Sequence, residues 1–105
     1  MCLEKRGLIS YYRNPVPKIL LIAPAPTHPD IGRLRSAARF GDDAYKKSLE
    51  LGKHYRQVAE RCSCGFIDCG ELDFEINPVD GLHYSKADHA KLGPVAAAWI
   101  RQMLE

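Results

Sequence analysis

The chain has 105 residues and a formal net charge of +2, which leaves room for one domain and no more. Hydrophobic residues make up 46% of it and charged residues 27%, the balance of a globular protein rather than of a disordered one. Its positive and negative charges are interleaved, and its longest apolar run, Ile19–Pro24, is too short to cross a bilayer, so we expect neither a nucleic-acid partner nor a membrane.

The first residues and the cysteines predict a cytoplasmic protein without a metal or other cofactor. Met1–Arg6 carries charges with no apolar stretch after them, so no signal peptide is expected. Cys2, Cys62, Cys64 and Cys69 would form disulfides in an oxidising compartment, and without an export signal we expect reduced thiols. The spacing of the last three cysteines does not match a zinc ribbon, which favours small buried side chains over metal ligands.

The first half of the chain predicts a helix followed by a strand. The helix over Leu3–Arg13 is ended by the two prolines of Asn14–Pro17. Lys18–Ala23 is apolar on consecutive residues, which is typical of a strand buried on both faces of a parallel sheet. Pro24–Pro29 must then be a loop at the carboxyl end of this strand.

A second helix is predicted from Asp42 or Asp43 to about Arg61, because apolar residues recur there at steps of three and four. Gly65–Cys69 is a second short strand, and Gly70–Val79 is a loop. A last, longer helix follows these elements along the chain.

Ser85 and Asp88 form a capping box for that last helix, which extends over Lys86–Leu104. The complete order, helix, strand, helix, strand, helix, is half of a doubly wound α/β fold with a parallel sheet. Two strands do not complete a sheet, and an apolar strand with a bare edge favours association. We therefore expect either more chain before Met1 or another subunit to cover the strand Lys18–Ala23.

The segment that indicates chemistry is Asp80-Gly81-Leu82-His83, which lies between the second strand and the last helix. An aspartate three residues before a histidine can place its carboxylate on the imidazole Nδ1, which leaves Nε2 as a base. Ligands of open α/β sheets bind beyond the carboxyl ends of the strands, where this loop is expected. The same spacing also fits a structural turn and a helix cap, and the spacing alone does not decide between the two.

In its context this segment resembles the last conserved block of the SGNH hydrolases, which are also called GDSL esterases. Val16–Pro26 is similar to the fourth strand of that family and its proline-rich exit, Lys47–Ala59 to the following helix, and Phe66–Cys69 to the fifth strand. The resemblance implies a partial, flavodoxin-like doubly wound sheet, the carboxyl-terminal half of such a fold, in a single domain over residues 1–105. It also implies that Asp80 and His83 are the acid and the base of a Ser-His-Asp triad that acts on a small acyl ester.

The family's other blocks do not occur in this chain. Its nucleophilic serine follows Gly-Asp, and its oxyanion-hole donors come from that serine, a glycine and a Gly-x-Asn-Asp block. Here Gly41-Asp42 is followed by Asp43, and none of the five serines follows Gly-Asp. The long segment Pro26–Asp42, followed by a Lys-Ser-x-Glu-Leu helix, resembles the arylesterase and acyltransferase branch. We expect the isolated chain to be inactive.

Three hypotheses stay open. The chain is the acid-and-base part of a serine esterase, or a catalytically silent half-domain that associates with itself or with a missing amino-terminal half. The third is a small binding module in which Asp80-x-x-His83 only forms a turn, and this hypothesis predicts that His83 lies away from any cleft. No catalytic role is expected for His28, His54 or His89.

Overall fold

The computed structural model describes residues 17–34 and 43–105, so the predicted helix Leu3–Arg13 lies outside the described residues. Two strands and three α-helices follow one another in the order expected of an α/β fold. They are β1 (Leu20–Ala23), α1 (Ala44–Leu49), α2 (Leu51–Cys62), β2 (Gly65–Asp68) and α3 (Lys86–Leu104), with short 3₁₀ turns at Ile31–Arg33 and Cys69–Glu71.

The strands β1 and β2 pair in parallel, in the register Leu20 to Gly65 and Ala23 to Asp68. Both therefore end at the same edge of the sheet, and both exit loops begin there. Helix α2 connects the strands and packs against both, and α3 packs against β2. The α/β class and the partial parallel sheet are thus confirmed. No helix in the described part of the chain is long and apolar enough to cross a membrane.

The prediction that β1 is buried on both faces is wrong for the chain as it stands. Ala23 is fully buried, but Ile22 is 39% exposed. Its partner on β2, Ile67, is only 4% exposed. The apolar character of β1 therefore exceeds what the described strands and helices cover.

The second helix is also not continuous. It is interrupted at Glu50, which separates α1 from α2. The hydroxyl of Ser48 donates to the carbonyl of Tyr45 at 2.7 Å and accepts from the backbone N–H of Thr27 at 3.0 Å. Such a bond from a serine to the preceding turn bends helices, and here it also ties the bend to the exit loop of β1.

The start of α3 is as predicted. Asp88 N–H donates to Ser85 Oγ at 3.1 Å, and Ser85 N–H donates to Asp88 Oδ2 at 2.9 Å, which together complete the capping box. The apolar residues of α3 are only partly buried, since Ile100 is 50% exposed. A small core formed by Ala25, Cys69 and Ile76 lies beneath the two exit loops, with Phe74, Tyr84 and Leu92 packed against it.

Candidate active site

The structure brings the two predicted site residues together. Oδ2 of Asp80 lies 2.7 Å from Nδ1 of His83, a distance at which a ring N–H donates to a carboxylate. The side chain of Asp80 is 20% exposed and that of His83 is 80% exposed. Among the residues that the structure describes, none forms a hydrogen bond with Nε2 of His83. The imidazole is therefore held at one nitrogen and open at the other.

The second oxygen of Asp80 stabilises the turn itself. Oδ1 accepts the backbone N–H of Leu82 at 2.8 Å and that of His83 at 3.0 Å. These backbone hydrogen bonds, followed by the bond to the His83 ring, lower the pKa of Asp80 to about 2. The carboxylate is consequently ionised at neutral pH, the state that can stabilise an imidazolium.

Gly81 makes the turn between Asp80 and His83 possible. Its φ is +75°, in the left-handed region that glycine adopts without steric cost. A Cβ at this position would lie 3.0 Å from Leu34 Cδ1 and 3.3 Å from Ile31 Cγ1. The carbonyl of Gly81 also accepts the N–H of His28 at 2.9 Å. The exit loop of β1 therefore packs directly on the loop that carries Asp80 and His83.

Asn77 joins the start of this loop to its end through hydrogen bonds. It is not among the site residues that the sequence predicts. Its N–H donates to the carbonyl of His83, and its carbonyl accepts the N–H of Gly81, both at 2.8 Å. Its side-chain Oδ1 accepts the N–H of Val79 at 2.8 Å. The signal was available, because Asn-Pro at this position is a turn-forming pair and an asparagine side chain can bond backbone two residues on.

Asp88 has a larger role than the cap that its spacing predicts. Its side chain is fully buried and accepts the N–H of Glu75 at 2.6 Å and that of Ile76 at 2.9 Å, besides that of Ser85. Burial alone would raise the pKa of Asp88, but the N–H donors of these three residues outweigh it and lower the pKa. Ile76 itself has a φ of +56°, which is strained for a β-branched residue.

Tyr84 connects the site to the core. Its hydroxyl accepts the N–H of Ala25 at 3.0 Å, and its side chain packs against the core that contains Cys69, so it contacts the exits of both strands. Burial raises the pKa of Cys69, which keeps this thiol protonated and unreactive. The ring of Tyr84 packs edge-on against Phe74, with centroids 4.8 Å apart.

A cleft of about 450 Å³ opens beside His83. Leu51 and Leu82 contribute apolar surface to it, and Ser48 and His89 also line it. Ser48 uses its hydroxyl to donate to Tyr45, and no hydrogen bond joins it to His83. The cleft therefore places apolar surface next to an imidazole with an open nitrogen.

The other candidate residues take structural positions. Asp68, at the end of β2, accepts the N–H of Gly70 at 2.8 Å. His28 accepts the N–H of Asp30 through Nδ1 at 3.0 Å, and the ring of His89 packs edge-on against Tyr84. Within residues 17–34 and 43–105, no group of three or more His, Cys, Asp or Glu side chains could hold a metal ion.

Several solved structures that are similar to this chain are named as esterases. A carbohydrate acetylesterase family member from Sinorhizobium meliloti is 25% identical and has a TM-score of 0.78, over 97% of this chain and 46% of its own. An aryl esterase from M. smegmatis is 25% identical with a TM-score of 0.74, over 96% of this chain and 47% of its own. A protein from Agrobacterium tumefaciens str. C58, proposed to be an arylesterase, is 29% identical with a TM-score of 0.73, over 92% of this chain and 44% of its own.

No protein-family model and no curated protein matches the chain. The chain spans less than half of the length of the three solved structures. These similarities confirm the family resemblance read from the sequence and its restriction to part of the fold.

Proposed function

We propose that this chain, which carries part of the SGNH-hydrolase fold, supplies the acid and the base of a serine esterase. Asp80 is the acid and His83 the base, and the nucleophilic serine and the oxyanion hole come from sequence that this chain does not contain. The observation that carries the proposal is the 2.7 Å contact between Asp80 Oδ2 and His83 Nδ1, with Nε2 open beside an apolar cleft.

In the proposed reaction, Nε2 of His83 accepts the proton of a serine hydroxyl while the serine oxygen forms a bond to the ester carbonyl carbon. The bond from that carbon to the alcohol oxygen then breaks, and the alcohol leaves with the proton from His83. A water molecule repeats the two steps and releases the acid and the free serine. The ionised Asp80 stabilises the imidazolium that forms each time.

The substrate class that we propose is a small acyl ester. Two of the similar structures are named as a carbohydrate acetylesterase and an aryl esterase. The cleft beside His83 offers the apolar surface of Leu51 and Leu82 to an acyl or alcohol group. The reaction needs no metal or other cofactor. A cytoplasmic location stays a prediction from the sequence.

The alternative hypothesis of a structural turn accounts for the hydrogen bonds of only one oxygen of Asp80. Oδ1 stabilises the turn, and Ser85, not Asp80, caps the last helix. That hypothesis also requires His83 to lie away from any cleft, whereas His83 lines one. These contacts favour the catalytic proposal.

We further propose that the face around β1 is covered by the remainder of the fold or by a second copy of the chain. Ile22 on β1 is 39% exposed, and β1 has no second neighbouring strand in the described part of the chain. A sheet of two strands is marginal in water without such cover. Sedimentation at micromolar concentration should therefore show association of the isolated chain, and a single species near 11.8 kDa would contradict it.

The proposed activity can be tested in a chimera. This chain replaces the matching 46% of the carbohydrate acetylesterase from Sinorhizobium meliloti, and hydrolysis of nitrophenyl acetate is measured. We expect saturable turnover by the folded chimera and none by the isolated chain, whose sequence lacks the serine and oxyanion-hole blocks of the family. His83→Ala should lower kcat by at least about ten-thousandfold.

The matched control is His54→Ala, which removes an exposed histidine on α2 and should leave kcat unchanged. A folded chimera without turnover would contradict the proposal. Turnover that survives His83→Ala would equally show that His83 is not the base.

A further inference from the structure

We propose that Asp88 is a positioning residue that fixes the orientation of His83 by holding both ends of the loop that carries it. This inference rests on the proposed function for its catalytic meaning, because only a reacting imidazole needs such a fixed orientation. It concerns the geometry of the loop, which exists with or without a substrate. No hydrogen bond joins the carboxylate of Asp88 to the ring of His83.

The carboxylate of Asp88 reaches chain segments on both sides of the loop. Before the loop, Oδ1 accepts the N–H of Glu75 at 2.6 Å and Oδ2 accepts that of Ile76 at 2.9 Å. After the loop, Oδ2 also accepts the N–H of Ser85 at 2.9 Å. The two ends of the segment between Ile76 and Ser85 therefore meet at one fully buried carboxylate.

A helix cap does not account for the first pair of bonds. The capping box needs only Ser85 and Asp88, whereas Glu75 and Ile76 precede Asp88 by 13 and 12 residues. Their N–H groups donate to the carboxylate although Ile76 adopts a strained φ of +56°. Strained backbone persists where the surroundings over-determine it and is concentrated at functional sites.

From Ile76 the restraint passes to His83 through the next residue. Asn77 donates its N–H to the carbonyl of His83 at 2.8 Å, and its own carbonyl accepts the N–H of Gly81. Ser85 approaches His83 from the other side, two residues along the chain. The backbone of His83 is thus restrained on both sides. This restraint fixes the backbone position from which the exposed ring reaches Asp80.

The variant that tests this is Asp88→Ala in the 105-residue chain. The measurement is the pair of ring ¹⁵N shifts of His83, read through its carbon-bound protons at about pH 9, where an imidazole is neutral. Wild type should show Nδ1 protonated and Nε2 not. In folded Asp88→Ala we expect the two nitrogen shifts to move toward each other, because both tautomers become populated once the loop is released.

Ser85→Ala is the matched control, since it removes the hydroxyl that caps α3 but leaves all three N–H bonds to the carboxylate. Its His83 shifts should equal those of wild type, although its stability falls. Unchanged His83 shifts in folded Asp88→Ala would overturn the proposal. Equal changes in both variants would also overturn it, because they would assign the effect to the start of the helix.

Asp88→Ala leaves three N–H groups without their acceptor, so a measurement on wild type is also needed in case the variant does not fold. Native-state amide exchange supplies it. If one carboxylate holds both ends, the amides of Ile76 and Ser85 should exchange through one opening event, with protection factors within about threefold of each other. Protection factors that differ by about a hundredfold would overturn the proposal.

Failure of this inference and failure of the proposed function have separate signatures. An inactive chimera with normal His83 shifts in the isolated chain would remove the esterase proposal and leave the positioning role of Asp88 intact. An active chimera whose His83 shifts ignore Asp88→Ala would do the reverse.

Discussion

The two oxygens of Asp80 serve His83 in two different ways. Oδ1 accepts the backbone N–H of His83 at 3.0 Å, while Oδ2 lies 2.7 Å from Nδ1 of its ring. The first bond fixes the position of the His83 backbone, and the second fixes the orientation of its ring. An amide side chain has one acceptor oxygen, so it can replace the first bond but not the second.

Asp80→Asn should therefore change which nitrogen of the neutral His83 ring carries the proton, and it should leave the turn in place. The asparagine oxygen still accepts the hydrogen bonds from the N–H groups of Leu82 and His83. The NH₂ group of the asparagine then points at Nδ1, which must become an acceptor. The proton moves to Nε2, and the ring can no longer act as a base toward a serine. Ring ¹⁵N shifts of His83 at about pH 9 report this exchange directly.

His54 provides the internal control for this measurement, because it lies on α2, away from Asp80, and its shifts should not change. A His83 ring that stays protonated at Nδ1 in Asp80→Asn would mean that the contact does not control the tautomer in solution.

The lowered pKa of Asp80 predicts how stability depends on acid pH. The ordinary pKa of 3.8 applies to the unfolded chain, and the folded value is about 2. As the pH falls from about 4 to about 2, the unfolded state binds the proton first, so the free energy of unfolding decreases. Above about pH 5 the contribution is complete, and Asp88, whose pKa is also lowered, adds to it in the same direction.

Denaturant titrations at a series of pH values test this dependence. Asp80→Asn should flatten the acid slope, because it removes one of the groups whose proton binding differs between the two states. Leu92→Ala lowers stability by truncating a side chain that packs against the core, leaves the hydrogen bonds of Asp80 and Asp88 in place, and should keep the wild-type slope. An unchanged slope in Asp80→Asn would contradict the bonds that Asp80 accepts from Leu82 and His83.

The features that follow a local pattern were predictable from the sequence. The capping box at Ser85 and Asp88 and the contact of Asp80 with His83 each span three residues, so they depend on spacing that can be read directly. Helix α3 begins and ends where its pattern predicts. The parallel pairing of β1 and β2 follows from two apolar runs separated by a helix.

The contacts of Asp88 with Glu75 and Ile76 were not predictable in the same way. Both donors are backbone N–H groups, which every residue except proline carries, so no residue type marks them. The break at Glu50 likewise depends on Ser48, whose hydroxyl meets Thr27 across 21 residues. The burial of β1 on both faces is not reached in this chain, because an apolar run indicates what a strand can bury and not what covers it.

The loop conformation at Gly81 gives a prediction with a control in the same chain. Gly81→Ala must hold a side chain at a φ of +75° and 3.0 Å from Leu34, so it should destabilise the protein by about 1–3 kcal/mol. Gly93→Ala is the control, because a Cβ there meets nothing within 4 Å. Its gain in helix propensity is offset by the restriction before Pro94, so its effect should stay within about 0.5 kcal/mol. Denaturant unfolding of both variants measures the difference, and equal effects would contradict the left-handed turn.

The packing of α2 on the end of β2 gives the last prediction. A Cβ at Gly52 would lie 2.4 Å from Oδ2 of Asp68, and Asp68 cannot move away freely because its Oδ1 accepts the N–H of Gly70. Gly52→Ala should therefore destabilise the protein by about 1–2 kcal/mol, although alanine is the better helix former. In an Asp68→Ala background the obstacle is gone, and the same substitution should be neutral or stabilising. A double-mutant cycle from denaturant unfolding should give a coupling of about 1 kcal/mol or more between the two positions, whereas strictly additive effects would show that α2 does not approach β2 this closely.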